Sequence, residues 1–101
     1  MNVISKSTLV KFYESSPKYM EAKDQLNEWY RYAKKSKWTT PYEIKDDLRT
    51  ASILKNNRVV FNICGNKYRI VVRIDYRCEM IFIRFVGTHT QYDKIEDIDN
   101  I

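Results

Sequence analysis

Three arginines and a single histidine are the residues of this chain best suited to chemistry on a phosphate. Arg69, Arg73 and Arg84 lie in two strand-like stretches, and His89 follows the second of them. A guanidinium group can bind two phosphate oxygens at once, and histidine is the side-chain type that exchanges a proton near neutral pH. This combination predicts a surface that holds a polyanion, with RNA as the leading candidate.

These arginines share one face of a sheet if Gly65-Asn66 forms a two-residue hairpin turn and Arg77-Cys78 forms the next turn. The first face is then entirely apolar and should be buried. It consists of Val59, Phe61, Ile63, Tyr68, Ile70, Val72, Ile81, Ile83 and Phe85. The second face carries the cations and should be open to solvent. It consists of Val60, Asn62, Lys67, Arg69, Val71, Arg73, Phe82, Arg84 and Val86.

The N-terminal half supplies the elements that must cover the apolar face. A short strand is predicted at "NVIS", and Leu9, Phe12 and Tyr13 recur at helical spacing as a first helix. Ser16-Pro17 is a typical helix start, so a long second helix should begin there.

Its inward residues are Tyr19, Ala22, Leu26, Trp29 and Ala33. The opposite side of this helix carries several lysines, which form either a nucleic-acid stripe or, more commonly, a solvated face. Thr40 and Glu43 have capping-box spacing and predict a short third helix to about Leu48. The fold class is therefore α+β, with N-terminal helices packed on one face of a small antiparallel β-sheet.

Composition points to one folded domain over residues 1–101, because 44% of the residues are hydrophobic and 31% are charged. The net charge is +5, but four acids stand among the last nine residues against only Lys94. Residues 1–92 thus hold 17 of the 18 basic and 9 of the 13 acidic side chains. The excess of positive charge in residues 1–92 favours phosphate-rich partners, and the acidic end is expected to be a solvated tail.

Other classes of protein are excluded by what the sequence lacks. No window approaches the ~20 apolar residues of a membrane span, and no signal-peptide core is present, so we expect a cytoplasmic protein. Cys64 and Cys78 should lie ~25–30 Å apart at strand rise, too far for a disulfide. With one histidine, two distant cysteines and no carboxylate cluster of calcium-loop spacing, we expect neither a metal nor a cofactor.

The stretches "RVVFNICGNKYRIVVRIDY" and "IFIRFVGTHTQYDKI" closely resemble the HigB-type toxins of bacterial type II toxin–antitoxin systems, members of the RelE-like superfamily. The resemblance covers essentially the whole chain and implies a RelE-like toxin fold. It implies an mRNA interferase, an endoribonuclease that cleaves mRNA during translation on the ribosome and is inhibited by the helix-turn-helix antitoxin HigA. The positions that match the family motif are Asn62, Lys67, Arg69, Arg84, His89, Tyr92 and Asp93.

RNA can be cut without a metal when its own 2′-hydroxyl attacks the adjacent phosphorus, which requires a base, an acid and cations on the phosphoryl oxygens. His89 is the first candidate for proton transfer, as acid or as base. Tyr92, three residues later on a helical turn, is the second, although its ring could instead stack on a base. Arg69 and Arg84 would neutralise the scissile phosphate.

The candidate RNA-binding residues are Lys67, Asn62, Arg73 and Asp93. Lys67 would be an outer phosphate contact, and Asn62 would orient Arg69 or read a base edge. Each residue also has an ordinary structural role. Strand arginines such as Arg73 commonly face solvent, and a lysine beside a turn commonly aids solubility.

Two other functions are alternatives. A non-enzymatic binder would use the same arginine face to block RNA or the ribosome without cutting. A gyrase inhibitor follows only from analogy with proteins of the same fold, and the histidine beside the arginines argues against it, because a pure inhibitor needs no proton-transfer group. The toxin alone should be a monomer, since its helices occupy the apolar face, and should join a higher-order complex with its antitoxin. The gap between the long helix and the sheet edge is one candidate dock for an acidic or apolar antitoxin segment.

Overall fold

A five-stranded sheet organises the protein, and the computed structural model describes residues 1–101. The strands are β1 (Asn2–Ile4), β2 (Ser52–Ile53), β3 (Arg58–Ile63), β4 (Tyr68–Asp75) and β5 (Met80–Thr88). They lie in the order β1-β5-β4-β3-β2. The central strands form an antiparallel meander, while β1 joins β5 in parallel. The α+β class is confirmed, with a sheet that is mixed rather than antiparallel throughout.

The helices precede the meander as the sequence predicts. They are α1 (Lys6–Glu14), α2 (Lys23–Lys35), α3 (Pro41–Asp47) and α4 (His89–Asp93), with 3₁₀ segments at Pro17–Ala22 and Ile98–Asn100. The predicted second helix does begin after Ser16, but its first six residues are 3₁₀. Tyr19 and Ala22 both pack inward, and their spacing of three matches the 3₁₀ repeat.

The apolar face of the sheet is the core. Val59, Ile70, Val72, Ile74 and Ile81 are fully buried under the helices. The predicted hairpin register is confirmed, because Asn62 pairs with Arg69 and Ile63 pairs with Tyr68.

A β-bulge in β5 overturns part of the predicted partition. Val72 pairs with Ile83 but Val71 pairs with Phe85, so Arg84 is an extra residue in the strand. An extra residue reverses the alternation beyond it. Phe85 consequently lies on the second face, and Val86 packs against the core. Both had been predicted on the opposite faces.

The second face of the sheet is not left to solvent, as had been predicted. Val60 and Val71, in the middle of that face, are 1% and 0% exposed. The C-terminal segment runs from Tyr92, which stacks on Arg69, to Ile101, whose carbonyl accepts hydrogen bonds from Arg58 Nε and Nη2 at 3.1 and 2.7 Å. Since Arg58 and Arg69 stand at opposite ends of this face, the segment must cross the two valines.

The acidic end is therefore docked, and the expectation of a solvated tail is wrong. Ile95, Ile98 and Ile101 alternate with the acids and are half-buried. Asp99 accepts a hydrogen bond from the backbone of Lys55 at 3.3 Å. Apolar side chains among the acids explain why this segment packs on the sheet.

Two further expectations concern the cysteines and membranes. Cys64 and Cys78 are both free thiols, and burial raises the pKa of Cys64. None of the helices has the length and apolar character that crossing a membrane requires.

The start of α3 differs in detail from a capping box. Thr40 Oγ1 accepts a hydrogen bond from Glu43 N at 3.4 Å, as predicted. The Glu43 carboxylate bonds instead to the backbone N–H and the hydroxyl of Thr39, each at 2.8 Å. These two donors lower the pKa of Glu43.

Glu43→Gln should make the stability of the protein less dependent on pH in the acid range. A carboxyl whose pKa is lower in the folded chain stabilises the fold above its unfolded pKa, and this contribution disappears as the pH falls through the folded value. Urea midpoints at pH 7 and pH 3 should differ more for wild type than for the variant. Glu96→Gln, at an exposed carboxylate, should behave like wild type; an equal pH dependence in Glu43→Gln would contradict the assignment.

Phe61→Ala should destabilise the fold by about 3–5 kcal/mol, the usual range for a buried phenylalanine. The Phe61 ring centroid is 5.3 Å from that of Trp29 and 6.1 Å from that of Trp38, so truncation leaves a cavity between two indoles. Chemical denaturation measures the change. Tyr42→Ala, at an 81% exposed position, is the control and should cost under ~0.5 kcal/mol.

Candidate active site

The candidate site lies where the β3–β4 turn meets the junction of β5 with α4. Gly87 pairs with Arg69 and Thr88 pairs with Tyr68. The backbone N–H of His89 then donates to the carbonyl of Lys67 at 2.9 Å. The sheet register thus brings the start of α4 beside Arg69.

A capping box holds α4 in place. Thr88 Oγ1 accepts from the N–H of Gln91 at 3.1 Å, and Gln91 Oε1 accepts from the N–H of Thr88 at 2.9 Å. A five-residue helix needs such a cap because it has few internal hydrogen bonds. The T-x-x-Q spacing was visible in the sequence, but the site prediction missed it.

Gly87 makes this cap sterically feasible. A Cβ at Gly87 would lie 2.6 Å from Gln91 Oε1 and 2.6 Å from the Phe85 ring, closer than real Cβ atoms approach their neighbours. A side chain at position 87 would therefore displace both the Gln91 cap and the Phe85 ring.

His89 is oriented by Asp93. Its Nδ1 lies 2.9 Å from Asp93 Oδ2, one helical turn away, and both side chains are about half exposed. Because a carboxylate only accepts hydrogen bonds, Nδ1 carries the proton in this pair and Nε2 is left for chemistry. Asp93 was predicted to bind RNA; in the structure its carboxylate contacts the Nδ1 side of the His89 ring.

Arg69 is held by two neighbours. Its guanidinium carbon lies 4.7 Å from the centre of the Tyr92 ring, and Nη2 donates to Asn66 Oδ1 at 3.0 Å. Its Nε is buried without a partner in the protein. The group is fixed in direction, and Nη1 together with the second N–H of Nη2 remains to donate to an anion. Asn66, which had been taken only as a turn former, is thus part of the site.

Lys67 and Asn62 are near the site but are otherwise engaged. Lys67 Nζ lies 2.7 Å from Glu21 Oε1, which raises the pKa of the lysine and lowers that of Glu21. The structure directs Lys67 toward the helix layer, not toward the predicted arginine face. Asn62 stands across from Arg69, but its amide donates to the carbonyl of Thr50 at 3.4 Å.

The other two arginines lie away from this cluster. Arg73 stacks on Phe82 at 4.5 Å, four residues along β4 from Arg69, or roughly 13 Å at strand rise. Arg84 is exposed in the bulge, three residues before Gly87, or roughly 10 Å. The structure therefore brings together four of the eight predicted site residues, Arg69, His89, Tyr92 and Asp93, with Lys67 and Asn62 at their border.

Comparison with known proteins identifies relatives along most of the chain. Residues 22–95 match the family model HigB_toxin, described as the RelE-like toxic component of a toxin–antitoxin system. The chain is also 28% identical over 97 residues to a protein named mRNA interferase HigB from Escherichia coli O6:H1. That similarity covers 94% of this chain and 91% of the relative. The family match includes the whole cluster described above.

Gly87→Ala should loosen α4 without unfolding the core. The added methyl group would compete with the Gln91 side chain, and losing a cap typically costs about 0.5–2 kcal/mol. Hydrogen exchange at the Thr88 amide should become faster while exchange in β4 changes little. Thr90→Ala, in the same helix but outside the cap, is the control. Unchanged protection at Thr88 in Gly87→Ala would contradict this account of the cap.

Proposed function

The chain belongs to the HigB family, the RelE-like toxic components of toxin–antitoxin systems, and from this premise we propose that it is an endoribonuclease that cleaves translated mRNA on the ribosome. One observation carries the proposal. A fixed guanidinium, Arg69, stacks on Tyr92 one helical turn from His89, whose Nε2 is left free by the bond to Asp93. The name of the Escherichia coli relative, mRNA interferase, supports the same activity.

Arg69 would bind the scissile phosphate. Its remaining N–H donors would contact the non-bridging oxygens, where negative charge increases as the 2′-oxygen attacks the phosphorus. Because Tyr92 and Asn66 already hold the guanidinium, little reorganisation is needed when this charge develops. The guanidinium supplies the charge stabilisation, so the proposed cleavage is metal-independent.

His89 and Tyr92 would carry the two proton transfers. As the 2′-oxygen forms its bond to phosphorus it loses a proton, and as the bond to the 5′-oxygen breaks that oxygen gains one. The products are a 2′,3′-cyclic phosphate and a 5′-hydroxyl. Asp93 would stabilise the positive charge on the His89 ring when the ring holds the extra proton. Asp93 is thus a positioning residue for His89.

The partner of the toxin would be a helix-turn-helix antitoxin of the HigA kind. The helices already cover the apolar sheet face, which supports a monomeric free toxin. The antitoxin would inhibit either by covering Arg69 and His89 or by adding bulk that prevents entry into the ribosome.

Primer extension on a defined mRNA, translated in a purified system or incubated alone, tests the activity. Wild-type protein should create new 5′ ends during translation, and His89→Ala should reduce them by about 10²–10⁴-fold. Thr90→Ala, at the exposed neighbouring position, should cleave like wild type. Arrested translation without new ends would contradict the nuclease proposal and would mean that the protein binds and blocks.

Tyr92→Phe separates the two roles of the tyrosine. The variant keeps a ring beside Arg69 but loses the hydroxyl, so cleavage should fall by at least ~10²-fold if Tyr92 transfers a proton. Cleavage at the wild-type rate would show that the ring acts by stacking. Circular dichroism melts provide the control for folding.

A further inference from the structure

The lysines and arginine of α1 and α2 form no ion pair with an acidic side chain. Of the chain's 18 lysines and arginines, Lys67 in the β3–β4 turn is the one that has an Asp or Glu carboxylate within 4.0 Å. The lysines of α1 and α2 are all exposed. Asp24 and Glu28 also lie in α2, but neither is within 4.0 Å of a lysine or arginine, so these cations remain available to an anionic partner.

Two of these lysines converge on one aromatic ring. Lys6 Nζ, from α1, lies 5.3 Å from the centre of the Tyr30 ring, and Lys34 Nζ, from α2, lies 5.9 Å from it. A cation–π contact at an exposed site is worth only about 0.5–1 kcal/mol, so these contacts leave both ammonium groups able to bind an anion.

A third lysine extends the arrangement along α2. Lys23 lies over the Tyr13 ring at 5.8 Å. Lys23, Tyr30 and Lys34 are seven and four residues apart, which places them on one stripe of the helix. At 1.5 Å per residue the stripe is about 16 Å long. We call Lys6, Lys23, Lys34 and Tyr30 the lysine track.

The track is separate from the candidate active site. The helices α1 and α2 cover the apolar face of the sheet, whereas Arg69 projects from the second face. A single short segment of RNA cannot follow both surfaces without bending around the domain. The track thus has no role in the cleavage step described above.

We propose that the lysine track is a second RNA-binding site, which contacts the phosphate backbone of RNA outside the cleaved segment. The inference rests on the proposed function in that RNA is taken as the substrate. A row of unpaired ammonium groups suits a polymer that presents regularly spaced phosphates. RNA is favoured over an acidic protein segment because the proposed cleavage already brings RNA to this protein.

The test is the salt dependence of RNA binding. The protein carries His89→Ala, and the probe is a 2′-O-methyl RNA, which lacks the attacking hydroxyl; fluorescence anisotropy gives Kd from 50 to 300 mM salt. Adding Lys6→Gln and Lys34→Gln should lower the slope of log K against log salt by about 1.4, since each phosphate contact on a single strand contributes ~0.7. The matched control adds Lys55→Gln and Arg77→Gln, which remove two exposed charges from sheet loops.

Three outcomes would overturn the inference. These are an unchanged slope in the lysine-track variant, an equal loss of slope in the control, and binding of a polyglutamate peptide with the same dependence on Lys6 and Lys34. Failure of the proposed nuclease is distinguishable from failure of this inference. If wild-type protein cuts no mRNA while RNA binding still requires the track, the inference stands and the nuclease proposal fails. If wild-type protein cuts mRNA while RNA binding does not require the track, the nuclease proposal stands and only the inference fails.

Discussion

One extra residue in β5 determines how α4, which carries His89, Tyr92 and Asp93, is placed relative to Arg69. Up to Ile83 the strand alternates as a regular partner of β4, but the bulge at Arg84 reverses the faces of everything beyond it. Val86 therefore packs against the core and Gly87 comes to lie opposite Arg69. Without the bulge, the core contact of Val86 and the position of α4 beside the β3–β4 turn could not both be satisfied.

Different ends of the chain cover the two faces of the sheet. The N-terminal helices bury one face, and the C-terminal segment crosses the middle of the other, above Val60 and Val71. The end of the second face at Arg69, where α4 begins, stays accessible. The candidate catalytic groups thus lie together at one end of the sheet and not across a broad cationic face. Much of the remaining positive charge lies on the outer side of the helices.

The residues explain which parts of this arrangement could be predicted. Gly65-Asn66 fixes the β3–β4 register because a two-residue turn allows only one alignment of the two strands. That alignment pairs Phe61 with Ile70 on the buried face. The bulge was missed because both Val86 and Phe85 are apolar, so hydrophobic alternation gives no sign of a slip. The Lys67–Glu21 ion pair joins residues 46 positions apart and leaves no local pattern. The capping box at Thr88 and the i,i+4 pair of His89 with Asp93 were readable from spacing alone.

The most direct test of the site is nitrogen-15 NMR of the histidine ring, because the chain has one histidine and the spectrum holds a single imidazole. The neutral ring should carry its proton on Nδ1, bonded to Asp93, and adding 2′-O-methyl RNA should shift the Nε2 resonance in wild type but not in Arg69→Ala. A ring protonated on Nε2, or an Nε2 resonance that does not respond to RNA, would contradict the claim that His89 and Arg69 act on one phosphate.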